Sequence, residues 1–215
     1  HGTRMGGDFY HFMRTTPQRV VFGLLDVAGQ RTENQHIISA TRTAFQEADL
    51  ARLGDTDVNE ADAMMELCLQ LNRTILKAAD GVRACPAFAG CYHENLGLIS
   101  YFNAGHTPGL VRDQSGVSEL PATGLPLGLF SHALFNASIV AIEPGAKLLL
   151  ASRGVVEGKC KSEEFGLNRV KETLHRSQSP TAKELCATVL DEVEKFICAP
   201  PTHDDVTALA LLRHP

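Results

Sequence analysis

The 215-residue sequence predicts one large α+β domain over residues 1–215, and three observations support this. Short apolar runs bounded by turn residues predict antiparallel strands, and they come in consecutive groups instead of alternating with helices. Two pairs of segments carry apolar residues at the spacing of amphipathic helices. Hydrophobic residues make up 44% of the chain, which is typical of a globular protein and too high for a disordered one.

The first half of the chain predicts two strands followed by two helices. Residues 9–13 and 19–26 are apolar and β-branched, and Thr15, Thr16 and Pro17 supply a turn between them. Apolar residues then recur at helical spacing over residues 37–48 and again from about 59 to 79, before Asp80 and Gly81 end the second helix.

The second half predicts short strands, then two helices and a last strand. The predicted strands cover residues 88–93, 97–103, 110–112, 117–120, 133–142, 147–152 and 206–212. One helix is expected over residues 163–175. Ser179 as the N-cap and Pro180 as the first helical residue predict the start of the other, which continues to Phe196.

Charge and hydropathy argue against binding to nucleic acid and against a membrane-spanning segment. The chain has 20 Lys and Arg against 25 Asp and Glu, for a net charge of −5, and it shows no basic cluster. Binding to nucleic acid is therefore not expected. The apolar runs are far shorter than the ~20 residues of a membrane span, and no signal peptide is visible. The abrupt start inside a motif indicates an excised domain.

The six cysteines show no C-x-x-C pair and do not resemble a disulfide framework. We expect most of them to pack as small apolar residues in a reduced, intracellular protein. The nine histidines include no H-x-x-x-H pair, which argues against a zinc site.

Carboxylates lie at the ends of three predicted strands. Asp8 follows Gly6 and Gly7, Asp26 ends the second strand, and Asp204 with Asp205 precedes the last one. If they converge, they repel one another unless a cation lies among them, and carboxylate oxygens suit Mg²⁺ or Mn²⁺. The alternative is that each is an ordinary turn residue. The GGDF segment resembles the hairpin of diguanylate cyclases, but too little sequence precedes it and the Glu is missing.

Seven motifs occur in the order seen in one family. The chain resembles the bacterial metal-dependent (PPM, type 2C-like) serine/threonine phosphatases of the sporulation stage II E and RsbU-type subgroup. The resemblance implies an α-β-β-α sandwich of two antiparallel sheets flanked by helix pairs, with the family's first strand missing here. The motifs are GGDFYHF (6–12), LLDVAG (24–29), YFNAGHTPGLV (101–111), TGLPLGLF (123–130), LLLASRGVVEG (148–158), EEFG (163–166) and HDDVTALALL (203–212).

The resemblance also implies a mechanism. Two Mn²⁺ or Mg²⁺ ions activate a water that attacks phosphoserine or phosphothreonine directly. By match, Asp26 bridges both ions, the Val27 carbonyl reaches one, and Asp8 acts through metal-bound waters. Asp204 binds the second ion, with Asp205 beside it.

Two positions depart from the family pattern. The family's T-D-G, whose Asp binds the second metal, is here Ser152-Arg153-Gly154. Arg cannot bind a cation, so Arg153 is expected to repel a metal and to pair with the neighbouring carboxylates. Arg31 also replaces a Gly in the second motif. Two interpretations stay open: an active enzyme that tolerates Arg153 and keeps at least one metal, or a degenerate pseudophosphatase that binds a partner.

The remaining expectations concern residues outside the carboxylate cluster, the localisation and the partners. A structural turn is expected at residues 103–106, including His106, and a surface role at Glu157. His203 is either exposed or supports Asp204. The resemblance implies a cytoplasmic protein that acts on a phosphorylated STAS-type anti-sigma-factor antagonist under an upstream sensory domain. Family members often form homodimers, but no residue here decides the oligomeric state.

Overall fold

The structure is a computed structural model that describes residues 7–27, 31–51, 53, 58–79, 81–198 and 205–214. The strands among these residues are β1 (Asp8–Thr16), β2 (Arg19–Asp26), β3 (Ala87–His93), β4 (Leu98–Ala104), β5 (Gly109–Asp113), β6 (Gly116–Leu120), β7 (Ser138–Ala141), β8 (Lys147–Ala151), β9 (Lys159–Cys160), β10 (Glu163–Glu164) and β11 (Ala208–Leu212). The helices are α1 (Arg31–Ala51), α2 (Glu60–Ala78), α3 (Arg153–Val156), α4 (Gly166–Arg176) and α5 (Ala182–Phe196).

Two antiparallel sheets form the centre of the fold. One has the strand order β1-β2-β3-β4-β7, and the other has the order β11-β8-β5-β6. Strands β9 and β10 form a separate small hairpin. This arrangement with helices on both sides confirms the predicted α+β class and the sandwich implied by the resemblance.

Three apolar layers hold the sandwich together. The first lies between the five-stranded sheet and helices α1 and α2, where Phe45 and Leu71 are fully buried. The second lies between the two sheets, around Phe88 and Leu150. The third packs α4 and α5 onto the four-stranded sheet, around Leu149. Burial of apolar side chains on both faces of each sheet fixes the strands, and therefore their ends, in space.

Several predicted elements differ in their boundaries. Residues 163–164 pair with Lys159–Cys160 as a strand, so α4 begins only at Gly166, after the predicted start. Helix α5 is capped by Thr181, whose hydroxyl accepts a hydrogen bond from Glu184 N at 3.2 Å, and not by Ser179. Strand β7 is confined to Ser138–Ala141. The short helix α3 and the β9–β10 hairpin were not predicted.

The expectation of reduced cysteines without a disulfide is wrong for one pair. Cys160 and Cys198 form a disulfide, with their Cα atoms 4.7 Å apart. The other four cysteines form no disulfide, and three of these, Cys68, Cys85 and Cys91, are buried as expected. None of the helices among the described residues is long and apolar enough to span a membrane.

The loop after β4 is a buried, hydrogen-bonded turn. Asn103 is fully buried, and its Oδ1 accepts a hydrogen bond from His106 N at 2.8 Å. Gly105 has φ +70°, and a Cβ there would lie 2.6 Å from Pro126 Cγ, so glycine is required. The turn predicted at residues 103–106 is present.

Burial of His106 predicts a pH-dependent contribution to stability. Desolvation lowers the pKa of His106 to about 4, partly opposed by its hydrogen bond with the Thr107 carbonyl. The imidazole is therefore neutral in the folded state and protonates near pH 6.5 only after unfolding. Its contribution is complete above pH 6.5 and is lost as the pH falls towards 4, at about 1.4 kcal/mol per pH unit.

We therefore expect the destabilisation caused by His106→Gln to be about 2–3 kcal/mol smaller at pH 4.5 than at pH 7.5. Urea unfolding at both pH values measures it, with His175→Gln on the exposed surface of α4 as the control. An equal cost at both pH values would contradict this assignment of the buried, neutral imidazole.

Candidate active site

The site begins where β1 and β2 meet. Asp8 opens β1, Asp26 closes β2, and the two are directly paired across the strands. Val27 N donates a hydrogen bond to Gly7 O at 3.2 Å, which extends the pairing by one step. A Cβ at Gly7 would lie 2.2 Å from Val27 O, so only glycine allows the strands to approach at this point.

The second sheet brings a third carboxylate to the same place. Asp8 N lies 3.4 Å from Asp205 Oδ2, a long hydrogen bond that joins residues 197 positions apart. Ser152 ties this segment to the end of β8: its Oγ donates to Asp205 O at 3.1 Å and accepts from Thr207 N at 3.0 Å. The sandwich therefore brings Asp8, Asp26 and Asp205 together, whereas Asp204, the predicted third ligand, lies outside the described residues.

Asp8 lies in an environment that disfavours its charged form. Burial raises its pKa to about 7, with further increases from the charges of Asp26 and Asp205. Hydrogen bonds with the Thr207 and Ser152 side chains lower the pKa but do not cancel this effect. In the part of the chain that the structure describes, Asp8 Oδ2 is buried without a hydrogen-bond partner. Such an oxygen is a suitable ligand for a cation or for a water that binds one.

Arg153 brings a positive charge to these carboxylates. Its Nε lies 3.3 Å from Asp26 Oδ2, and the contact is an ion pair without the alignment of a hydrogen bond. The Asp26 side chain is 11% exposed and that of Arg153 43% exposed, so the pair lies at the mouth of the site. The pairing with a neighbouring carboxylate expected from the sequence is thus observed.

Helix α3 places this arginine. Ser152 precedes the helix, Arg153 is its first residue, and Gly154 is buried directly after it. Glu157 follows at the i,i+4 spacing, and its Oε2 lies 3.9 Å from Arg153 Nε. Glu157 is therefore close to the site and is not only a surface residue. This spacing was visible in the sequence, but α3 itself is too short to give a periodic signal.

The Val27 carbonyl has a partner that the sequence did not reveal. Asn34 is fully buried in α1, and its Nδ2 donates a hydrogen bond to Val27 O at 2.9 Å. This contact ties α1 to the end of β2 and fixes the orientation of the carbonyl that the resemblance assigns to a metal. Asn34 precedes the helical pattern predicted over residues 37–48, so the sequence analysis gave no signal for this contact.

Other predicted residues lie outside the described part of the chain. These are Asp204 with its neighbour His203, and residues 28–30 of the second motif. Arg31 begins α1, but its side chain is not among those described. Within the described residues, no three His, Cys, Asp or Glu side chains form a group that could hold a metal. The ligand roles of Asp8, Asp26, Val27 and Asp204 therefore stay predictions.

Comparison with known proteins identifies the family. The family model of stage II sporulation protein E (SpoIIE) matches residues 16–214, and the chain belongs to this family of PP2C-like phosphatase domains. The phosphoserine phosphatase RsbP of Bacillus subtilis is 28% identical over 166 residues, which cover 77% of this chain and 40% of RsbP. The protein IcfG of Synechocystis is 30% identical over 129 residues, covering 59% of this chain and 20% of IcfG. The chain therefore matches less than half the length of either relative.

Solved structures show the same fold. The RsbU and RsbW domains of a Mycobacterium tuberculosis protein match with a TM-score of 0.79 and 24% identity, over 100% of this chain and 58% of that one. The SiaA PP2C domain of Pseudomonas aeruginosa matches with a TM-score of 0.80 and 18% identity, over 98% and 81%. SpoIIE of Bacillus subtilis matches with a TM-score of 0.74 and 17% identity, over 100% and 59%.

The residues present fit one of the two cation positions of this family better than the other. At Asp8 and Asp26, a buried and unpartnered carboxylate oxygen lies among like charges, which is the environment that a divalent cation stabilises. At the position that the resemblance assigns to the second cation, Arg153 stands in place of the expected carboxylate, and its guanidinium pairs with Asp26. A fixed positive charge there disfavours a second cation through electrostatic repulsion.

Titration of the domain with Mn²⁺ by calorimetry should therefore show at most one tight site. Asp26→Asn should remove it, because the substitution replaces a charged carboxylate of the Asp8–Asp26 pair by a neutral amide. Asp191→Asn, at an exposed position on α5, is the charge-matched control and should bind like the wild type. Two tight sites in the wild type would show that Arg153 does not exclude the second cation.

Proposed function

We propose that this domain is a metal-dependent protein serine/threonine phosphatase whose activity is reduced by Arg153. Membership of the SpoIIE family and the resemblance to RsbP support the hydrolase class. The convergence of Asp8, Asp26 and Asp205 at the ends of both sheets supports the location of the site. The observation that carries the reduced activity is the ion pair between Arg153 and Asp26.

In this proposal the carboxylates of Asp8 and Asp26 hold Mn²⁺ or Mg²⁺, with the Val27 carbonyl and Asp204 as further ligands. The bound cation supplies Lewis acidity towards the phosphoryl oxygens and makes water a better nucleophile near neutral pH. Asn34 keeps the Val27 carbonyl in place through its 2.9 Å hydrogen bond. Ser152 holds residues 205–207 in place, because its Oγ donates a hydrogen bond to Asp205 O and accepts one from Thr207 N.

Arg153 affects this site in two opposite ways. It removes a ligand of the second cation, and it draws the Asp26 carboxylate into an ion pair that competes with metal binding. Its positive charge also neutralises part of the negative charge of the carboxylate cluster, as a cation would. A guanidinium cannot deprotonate or activate water as a metal does, so the net effect is a slower reaction.

The same ion pair favours a second candidate function, in which the domain is a pseudophosphatase. With Asp26 engaged by Arg153, the site would bind a phosphoprotein without hydrolysing it. Binding needs charge and shape complementarity, whereas turnover also needs stabilisation of the transition state. A metal-dependent activity assay separates the two functions.

The proposed substrate is a phosphoserine or phosphothreonine on a regulatory protein of the STAS-type anti-sigma-factor antagonist class. The name of RsbP, a phosphoserine phosphatase, supports this substrate chemistry. The chain matches 40% or less of the two curated relatives, which leaves room for an upstream sensory domain in a longer protein. We further propose that the protein acts in the cytoplasm.

Replacing Arg153 by the acidic residue of the family pattern tests the proposal. Arg153→Asp should raise Mn²⁺-dependent hydrolysis of p-nitrophenyl phosphate and of a phosphoserine peptide at least about tenfold, or ~1.4 kcal/mol in the barrier. The substitution restores a ligand and releases Asp26. Steady-state rates at saturating Mn²⁺ give the comparison.

Two controls separate the ligand effect from a charge effect. Arg153→Ala removes the ion pair without adding a ligand and should give an intermediate rate. Arg73→Asp makes the same charge change at an exposed position on α2 and should leave the rate unchanged. A fully active wild type that Arg153→Asp does not improve would contradict the proposed role of Arg153. Activity that appears only in Arg153→Asp would identify the wild type as a pseudophosphatase.

A further inference from the structure

A long stretch of the chain near the site carries no charged residue. Residues 120–142, between Glu119 and Glu143, contain no Asp, Glu, Lys or Arg. Charged residues make up 21% of the whole chain, so about five would be expected in a stretch of this length. The stretch includes the TGLPLGLF motif at residues 123–130, which supplies none of the carboxylates of the site.

Three large apolar side chains of this stretch lie at the surface. Leu134 is 91% exposed, Leu125 is 53% exposed and Phe130 is 49% exposed. Leu125 and Leu134 lie on neighbouring segments, because a Cβ at Gly124 would be 3.5 Å from the Leu134 carbonyl oxygen. We refer to Leu125, Phe130 and Leu134 as the apolar loop surface. Exposed apolar residues with no charged residue among them are typical of the centre of a protein–protein interface.

Buried contacts fix the backbone that carries these side chains. Asn72 of α2 is fully buried, its Nδ2 donates a hydrogen bond to Phe130 O at 2.9 Å, and its Oδ1 accepts one from Gly128 N at 2.8 Å. Leu127 and Phe135 are buried in the layer between the five-stranded sheet and helices α1 and α2. The apolar loop surface is therefore preorganised, which lowers the entropic cost of binding a partner.

Backbone pairing places the apolar loop surface beside the aspartates. Asp26 N donates a hydrogen bond to Pro86 O at 2.9 Å, and Cys85 pairs with Leu127 through two hydrogen bonds of 2.8 and 3.1 Å. Leu127 is thus two strand spacings from Asp26, or about 10 Å. A specific protein–protein interface buries ~800 Å² on each partner, which corresponds to a patch with a radius of about 16 Å. A folded protein that presents a phosphoserine to Asp8 and Asp26 therefore also extends over this surface.

We propose that Leu125, Phe130 and Leu134 form the docking surface for the folded phosphoprotein substrate. This inference rests on the proposed function, because the substrate covers the surface only while its phosphoserine occupies the carboxylate site. The surface binds apolar residues of the substrate fold and contributes affinity away from the phosphoryl group. A small phosphate ester contacts only the carboxylate site and gains no affinity from it.

The test compares binding of a phosphoprotein to the wild type and to the double variant Leu125→Ser/Leu134→Ser. The probe is a purified STAS-type anti-sigma-factor antagonist phosphorylated on serine, and EDTA blocks its turnover. The Kd of the double variant, measured by interferometry, should be at least about fivefold higher, because two apolar anchors are lost. Leu96→Ser is the matched control and should bind like the wild type. Leu96 is 60% exposed and lies in the β3–β4 turn, at the opposite end of the sheet.

Hydrolysis of p-nitrophenyl phosphate with Mn²⁺ tests the carboxylate site separately, and both variants should stay within twofold of the wild type. A smaller change in Kd, an equal change in Leu96→Ser, or a wild type that does not bind the phosphoprotein would overturn the docking surface. A wild type without hydrolytic activity but with the change in Kd would refute only the proposed phosphatase activity. Thermal unfolding checks that the variants are folded. If the double variant is not, Leu134→Ser, at the most exposed position of the surface, replaces it in the same comparison.

Discussion

The ion pair between Arg153 and Asp26 is the interaction on which the proposed function of this domain depends. The Arg153 Nε and Asp26 Oδ2 atoms lie 3.3 Å apart, and Arg153 stands where the resemblance implies an acidic residue. The change replaces a negative charge by a positive one among converging carboxylates. Since a carboxylate pair can be stabilised either by a metal or by a fixed cationic side chain, the two compete for Asp26. The pair lies at a partly exposed mouth, where solvent weakens it, so a metal at sufficient concentration can compete.

The fold makes this competition possible because it brings distant residues to one edge. Asp8 and Asp26 are paired across β1 and β2, while Asp205 lies just before β11 and Arg153 begins α3 after β8. The apolar layers on both faces of each sheet hold these strand ends in register. The polar contacts among Ser152, Asp205 and Thr207 then bind the end of β8 to the start of β11. The Cys160–Cys198 bond joins β9 to the segment that follows α5.

The sequence predicted much of this arrangement, for physical reasons that also explain where it failed. The long periodic helices and the strands predicted from short apolar runs were located well. The strand-end aspartates lie close together because antiparallel neighbours bring their ends to a shared edge of the sheet. The β9–β10 hairpin has two residues in each strand, which is too few to give a sequence pattern. Glu163 and Glu164 were therefore assigned to the predicted helix, whereas in the structure they pair with β9. The bond between Cys160 and Cys198 could not be deduced because spacing does not specify which cysteines meet. Asn34 looked like any polar residue of α1, although it orients the Val27 carbonyl.

The most direct test of the account counts the cations at the site in the crystal. Crystals of the wild type and of Arg153→Asp are soaked in Mn²⁺, and data are collected at the manganese absorption edge. The account predicts one anomalous peak beside Asp8 and Asp26 in the wild type and a second peak near residue 153 in the variant. Two peaks in the wild type, with Arg153 turned away from Asp26, would contradict the claim that the arginine takes the place of a metal.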